Sequence, residues 1–439
     1  MSRKIIVAGA GHGGLAAAAL LAKKGLEVTV YERKSEGTLG HDWQDVFAPS
    51  ALESARLPFP PEGNYEYKGN MTFYSPDMKT PLKQDVSEDQ LELKMERRDI
   101  YSALIENALA CGVKIVYDCK VEGPLLDGAR VTGISTAMGD FYADLVIDAA
   151  GLNSPVRMKL PELCGIDNRV GDNERLFAYR AFYDAPEEGV PEDLYKVCLL
   201  PEGRPGLAWV ANEKEYVDLF IGRFVPFDMA EVERTAEYFR ETTLLFGREA
   251  RRGGQFVQIP LRHPLPVMVC DGYAAIGDSA FMTVPITGTG IANCFMAAEM
   301  LAGTVLRAAF GDFGAESLWP YQVAYYKKIG SGSAALACVK NLLTVISPAE
   351  LDYVFEKGIL TAAEFTFGAD SNSLGAIFKL SPADMIGRLK GILGNKSLLK
   401  KLLAVASQIG KVTAVTAVMP KKWDRNKVFF WAAKYRALF

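Results

Sequence analysis

Residues Gly277 to Asn293 hold the densest run of groups that could do chemistry: Gly277-Asp278-Ser279-Ala280-Phe281-Met282-Thr283-Val284-Pro285-Ile286-Thr287-Gly288-Thr289-Gly290-Ile291-Ala292-Asn293. Asp278 closes the strand-like run Tyr273 to Ile276, so its carboxylate can accept hydrogen bonds from sugar hydroxyls. Pro285 then stops the chain. Gly288 and Gly290, with Thr289 between them, let a flat ring approach the backbone with no Cβ in the way. The apolar helix predicted from Ile291 onward aims a partially positive N-terminus at the same spot. A planar ring carrying negative charge, such as a reduced flavin, suits that arrangement. A buried strand, turn and Gly-capped helix would carry the same letters, so the rest of the chain has to decide.

A second glycine cluster lies at the start. Lys4 to Ala8 reads as a buried parallel strand, Gly9-Ala10-Gly11-His12-Gly13-Gly14 follows at once, and Leu15 to Lys24 reads as an Ala-rich helix ended by Gly25. Leu26 to Tyr31 is a second strand, closed by Glu32 and Arg33. The acid stands 18 residues past Gly14, which completes a βαβ dinucleotide fingerprint. In it Gly9 makes the turn, Gly11 admits a pyrophosphate, Gly14 lets helix and strand pack closely, and Glu32 takes ribose hydroxyls. His12, inside the loop, reads as a spectator. No second such loop exists for a separate nicotinamide domain. Arg97 opens a predicted helix, and Ala143 to Gly151 reads as a strand ending in small residues.

Alternating patterns in Glu174–Tyr183, Leu194–Leu200 and Leu207–Phe224 predict an antiparallel sheet, interrupted by a helix over 230–246 and rejoined by a strand over 255–261. The segment 65–82 alternates in the same way. Such a sheet would wall a pocket in front of the nucleotide domain. Trp209 is placed on that wall. His41, on the loop after the second strand, is the candidate proton donor to carbon.

The motif order then resembles the p-hydroxybenzoate hydroxylase-type flavoproteins: the Gly9 loop with Glu32, Arg97 before a helix, Asp148-Ala149-Ala150-Gly151, and Gly277-Asp278. Within that superfamily the chain is similar to geranylgeranyl reductases over roughly residues 1–365. Pro285-Ile286-Thr287-Gly288-Thr289-Gly290-Ile291, Gly206-Leu207-Ala208-Trp209-Val210 and the helical tail after Leu318 carry that likeness. The resemblance implies FAD, with Glu32 on the adenosine ribose, Arg97 near the phosphates or flavin, Asp278 near the ribityl–pyrophosphate chain, and Gly288 to Ile291 at the pyrimidine edge. Two motifs depart from the family. The loop Gly40-His41-Asp42-Trp43-Gln44-Asp45 lacks its Cys-Gly pair. In its Tyr-x-Trp-x-Phe-Pro segment, Leu207 replaces Tyr and Ala211-Asn212 replaces Phe-Pro.

Composition sets the outer limits. The 439 residues are 49% hydrophobic and 23% charged, with a net charge of −4, which points away from nucleic acid. Seven scattered cysteines without a CxxC pair read as thiols in a reducing compartment, and three dispersed histidines do not make a metal site. No clean apolar run of 18 residues marks a membrane span. Charge is unevenly spread. Residues 371–439 hold 13 Lys and Arg against two Asp, leaving −15 for the remainder. Leu398, Leu402, Val405, Ile409, Val412 and Met419 fall at helical spacing there, with Lys400, Lys401, Ser407, Gln408 and Lys411 opposite. A basic, amphipathic, aromatic tail predicts contact with an anionic membrane surface, the bland alternative being a cap docked on the acidic remainder.

The sequence therefore predicts an α/β protein: a Rossmann-type FAD-binding domain (1–64, 84–164 and 265–310), an antiparallel β-sheet substrate domain (65–83 and 165–264), and a helical C-terminal region (311–439, basic and amphipathic over 371–439). The expected activity is FAD-dependent reduction of carbon–carbon double bonds in an apolar isoprenoid or other lipid by hydride from flavin N5. The electron donor is NAD(P)H or a reduced carrier protein. The place is the cytoplasm, peripheral on the inner face of the membrane. A hydroxylase using NAD(P)H and O2, or a membrane-associated flavin electron carrier, would share many of these features.

Overall fold

The computed structural model describes residues 3–185, 194–213, 215–243, 246–308, 311–365 and 382–439. Ile5 to Ala8 are buried and apolar, so their strand can sit inside a sheet covered on both faces. Lys4–Ala8 pairs in parallel with Leu145–Asp148 on one side and Glu27–Tyr31 on the other. Tyr273–Ala275 extends the sheet beyond Leu145–Asp148, Lys114–Val116 extends it beyond Glu27–Tyr31, and Val269–Cys270 closes one edge in the antiparallel sense. The His12–Ala22 helix packs on this sheet through small side chains, and Gly25 (φ +85°) turns the chain into the second strand. A three-stranded antiparallel sheet over residues 121–142, not anticipated from the sequence, lies beside it.

A seven-stranded sheet forms the other half. Its order is Ala250–Pro260, Arg175–Asp184, Tyr216–Arg223, Gly206–Asn212, Tyr195–Leu199, Thr72–Tyr74, Pro81–Lys83. Alternation along Arg175–Asp184 divides its faces. Tyr179, Ala181 and Tyr183 pack with Val232, Ala236 and Phe239 of the Met229–Thr242 helix. Ala178 and Phe182 pack on the opposite face with Trp43 and Phe220. That helix starts where Asp228 accepts a hydrogen bond from the Glu231 N–H at 3.1 Å.

The expectation for 65–83 needs correction in two respects. Glu66–Tyr67 pairs with Leu93–Glu96 in a separate three-stranded sheet with Gln44–Phe47. Thr72–Tyr74 does enter the large sheet, but parallel to Tyr195–Leu199. The strand arrives from the nucleotide side, so its direction is set by that crossover and not by a hairpin.

The C-terminal region is helical over Ala315–Tyr325, Ser331–Leu343, Pro348–Glu356, Ala362–Phe365, Pro382–Leu393, Lys396–Ala417 and Arg425–Arg436. Its apolar stripe faces inward. Leu398 and Val412 are fully buried, and Leu402 and Ile409 are partly buried against core clusters. The last helix is tied down by the Trp431 indole donating to the Val415 carbonyl at 2.7 Å and by Phe439 stacking on His263 at 4.0 Å. Residues 371–381 of the basic segment lie outside the described residues. Ile291–Ala308 is long and apolar enough to cross a membrane, but Phe295, Leu301 and Val305 bury it in the nucleotide core.

Candidate functional site

The Gly9 loop passes directly under the end of the Leu145–Asp148 strand. Gly9 has φ +91°, and a Cβ there would lie 2.7 Å from the Ala149 carbonyl oxygen. At Gly14 a Cβ would meet the Ala149 Cβ at 2.6 Å; at Gly11 and Gly13 the nearest atoms stand 3.1 and 3.0 Å away. Only glycine lets loop, strand and helix come this close. The Glu32 carboxylate accepts from the Ala10 N–H at 2.8 Å and the Lys34 N–H at 2.9 Å, which fixes it at the loop's mouth. Arg33 stands exposed on the rim.

Across the cavity, Gly277–Ala280 forms a short turn after Tyr273–Ala275. Buried Asp148 holds it: its carboxylate accepts from Ser279 (3.0 Å), Tyr273 (2.8 Å), Ser154 (2.6 Å) and the Ala150 N–H (3.1 Å). Arg157, fully buried, donates to the Ser279 carbonyl at 2.8 Å and lies 4.5 Å over the Phe281 ring. Asp278 is thereby presented to the cavity, accepting one hydrogen bond from Thr283 at 2.8 Å; burial raises its pKa. Gly288 has φ +71° with open space where a Cβ would sit, and Thr287 and Thr289 share a hydrogen bond of 2.8 Å beside it. The Ile291–Ala308 helix begins at this loop, with Gly290 before it.

Arg97 makes a forked ion pair with Asp45 and lies 5.5 Å over the Trp43 ring, so the residue expected at the phosphates or flavin is held on the loop after the second strand. Burial pushes Asp45 up, but the guanidinium outweighs it and keeps the carboxyl below its ordinary range. His12 and His41 are both lowered to about 4, first by burial, with Arg97 adding to the shift. Both rings are neutral at pH 7, and both line the cavity. Among the described residues, three buried polar atoms on its wall have no hydrogen-bond partner: His12 Nε2, Trp43 Nε1 and Gln44 Oε1. A cradle that glycines keep clear, faced by orphaned polar atoms, fits the FAD that the sequence resemblance implies. Glu32, Asp278 and Gly288 to Ile291 would hold it, and Gly9, Gly11, Gly13 and Gly14 would admit it.

The cavity does not end at the cradle. It continues, with a total volume of about 1140 Å³, between the large sheet and the C-terminal helices. Val197, Leu207, Trp209, Val339, Leu343 and Phe365 are among its apolar lining. A single small-molecule pocket takes roughly 300–1,000 Å³, so cofactor and part of a long substrate can share this space. Trp209 stacks on Phe220 (3.9 Å, 9° between planes) and donates to Asp218 at 3.1 Å. Asp218 is also the partner of Arg180, which donates to both its oxygens at 2.8 Å and to the Gln44 carbonyl at 2.6 Å. Sequence reasoning missed Arg180 and Asp218. The available signal was a single charged residue inside each of the otherwise uncharged stretches 176–183 and 216–222, 38 positions apart.

Comparisons with known proteins fit this geometry. A family model described as an NAD(P)-binding Rossmann-like domain matches residues 7–45. A digeranylgeranylglycerophospholipid reductase from Sulfolobus acidocaldarius is 25% identical over 430 residues, covering 95% of this chain and 93% of the relative. A second digeranylgeranylglycerophospholipid reductase, from Methanothrix thermoacetophila, is 29% identical over 359 residues, covering 79% of this chain and 89% of the relative, so the chain is similar to these reductases. The likeness extends well past residue 365, where the motifs alone placed its limit. In fold, the chain matches a geranylgeranyl bacteriochlorophyll reductase-like protein from Thermoplasma acidophilum (TM-score 0.72, 18% identity, 92% of this chain and 99% of that one). It also matches a probable FAD-dependent monooxygenase from Pseudomonas aeruginosa (TM-score 0.60, 19% identity, 81% and 100%).

Proposed function

We propose that this chain is an FAD-dependent oxidoreductase that reduces carbon–carbon double bonds of an isoprenoid or other lipid. The observation that carries this reading is one continuous cavity, glycine-cradled at one end and apolar along the other. When bound, FAD would supply hydride from flavin N5. The chain's part is orientation, exclusion of water and a positive helix end at Ile291 facing the negative pyrimidine edge. Trp209, held flat by Phe220 and Asp218, forms the wall against which an apolar chain lies. His41, neutral at pH 7 and on the cavity wall, would donate its ring N–H proton to the carbon and take a replacement proton from solvent on the other ring nitrogen. The electrons come from NAD(P)H or a reduced carrier protein. An apolar tunnel reaching the cradle counts against a bare electron carrier, which needs none.

The lipid is met, in this reading, at an anionic membrane surface on the cytoplasmic side. Lys396, Lys400, Leu403, Ser407, Lys411 and Ala414 form one outward stripe of the Lys396–Ala417 helix, continued by Val418 just past its end, with Leu403 61% and Val418 71% exposed.

The test is a single turnover without oxygen. FAD-loaded protein, chemically reduced, is mixed with a C20 polyprenyl lipid. Flavin reoxidation with a product two mass units heavier per reduced bond is expected. Absence of reduced product under anaerobic conditions, with oxygen from O2 entering the product in air, would replace the reductase reading by the hydroxylase one.

A further inference from the structure

The tunnel floor is one straight row of side chains. Phe220 stands opposite Trp209, Trp209 opposite Val197, and Val197 opposite Phe73, each on the next strand of the large sheet. All four line the cavity. Register partners on neighbouring strands point to the same face, so the tunnel crosses the strands and does not run along them. The strands stand about 4.8 Å apart, so three steps cover about 14 Å, and an extended isoprene unit spans roughly one step, about 5 Å. The reacting end of the row is at Phe220. There the Trp43 ring lies 6.2 Å away, and the His41 ring lies 5.6 Å from Trp43.

The other end carries a stack. Phe365 lies on Phe73 with 4.3 Å between ring centres and 25° between planes, and Phe355 backs it at 6.0 Å. Phe73 and Phe365 both line the cavity; among the described residues, the outermost strand, Pro81–Lys83, adds nothing to the lining. Phe365 ends the one-turn helix Ala362–Phe365, which is pinned at two points. Gln84, 2% exposed, donates from its side-chain amide to the Phe365 carbonyl, while its Oε1 accepts from the Met71 N–H at 2.9 Å. Glu364, 4% exposed, accepts from Arg388 at 2.6 Å and from the Thr361 N–H at 2.7 Å. Buried polar groups satisfied on both sides fix this turn, so the Phe365 ring is a standing wall.

We propose that the Phe73–Phe365 stack is the end stop of a ruler: it sets how far an isoprenoid tail runs past the reacting end, about three units, and so which double bond is presented first. The inference rests on the lipid tunnel of the proposed function and adds the residues that fix its length. A tail seated against the stop places its double bonds by their distance from the tail end, whatever the length of chain on the head-group side. Removing the Phe365 ring opens room for about one more unit, and the tail slides inward by that much.

The experiment uses the FAD-loaded full chain, chemically reduced without oxygen, and all-trans prenyl glyceryl ethers of four, five and six isoprene units presented from cyclodextrin in excess. The position of the first double bond reduced in a single turnover is read by mass spectrometry and NMR. In the parent it should be the same bond counted from the tail end in all three probes. In Phe365→Ala it should move one unit toward the head group, with Phe365→Leu dividing product between the two positions. Retained 450 nm absorbance shows that each variant still holds FAD, and the parent's count stands even where a variant fails to fold. A position constant from the head group, or an unmoved position in a folded Phe365→Ala, overturns the ruler and leaves the proposed function in place. No reduction of any probe by the parent removes the proposed function and the ruler with it.

Discussion

Replacing Asp218 by Asn tests how the tunnel wall is held. Asp218 is 1% exposed and Arg180 8%, and the pair is bidentate. Asn keeps the shape and can still accept from Trp209, but it leaves a buried guanidinium without its counter-charge. Breaking a buried pair from one side costs about 3–5 kcal/mol. For a cooperative unit of 150–250 residues each kcal/mol moves Tm by about 2–4 °C, so a fall of roughly 6–20 °C is expected. The companion variant removes both charges, Asp218→Leu with Arg180→Met. It loses the Arg180 bond to the Gln44 carbonyl and strands the Trp209 N–H, yet carries no unpaired buried charge. It should recover most of the lost stability. Thermal unfolding followed by far-UV circular dichroism on FAD-loaded protein measures both. A double variant no more stable than Asp218→Asn would refute the reasoning, because the loss would then come from packing and not from charge.

Gly14→Ala places a Cβ 2.6 Å from the Ala149 Cβ, so we expect about 1–3 kcal/mol of overpacking and loss of bound flavin, read from the 450 nm absorbance after gel filtration; full retention would count against the cradle. Burial, with Arg97 adding to it, lowers His12 and His41 from the ordinary 6.5 to about 4 in the folded chain. Below pH 6.5 the unfolded chain takes protons that the folded chain refuses, so these residues should cost stability as pH falls from about 6.5 to 4. Tm measured at pH 7, 6 and 5 should fall less steeply in His12→Asn/His41→Asn than in the parent; identical slopes would contradict the burial argument. Changing Lys396, Lys400 and Lys411 to Gln removes about 1 kcal/mol of membrane attraction each, a roughly 150-fold weaker partition onto phosphatidylserine vesicles, and flotation equal to the parent's would rule out that stripe.

The fold class was legible because its two periods are written locally. Ile5 to Ala8 next to the Gly9 loop, and the alternation of Arg175–Asp184, each declare an element within ten residues. What stayed hidden depends on residues far apart. Nothing near Arg97 says that Asp45 will take its guanidinium, because the Gln44–Phe47 and Leu93–Glu96 strands meet only in the folded chain. The 398–419 stripe was read correctly as helical and apolar on one face. Which surface it covers was not readable, since a core and a bilayer ask for the same pattern. The motif residues Gly14, Glu32 and Asp278 do converge on one cavity. Phe365 could not be singled out, because a Phe in a one-turn helix carries no mark of the strand it will cover.

The nucleotide sheet also sets a timetable. Its first strand, Lys4–Ala8, waits for Leu145–Asp148, and the turn that presents Asp278 waits for Tyr273–Ala275. At about 5–20 residues per second, roughly 15–60 s separate synthesis of the Gly9 loop from that of Ile291. Through that interval the apolar edge of the half-built sheet is open to wrong partners, and no cofactor can close it. Ribosome-stalled chains ending near residue 260 should therefore resist proteolysis less than chains ending near 340, with added FAD protecting only the longer ones. Supply of flavin during synthesis, and not only afterwards, becomes a determinant of how much of this protein reaches its folded form.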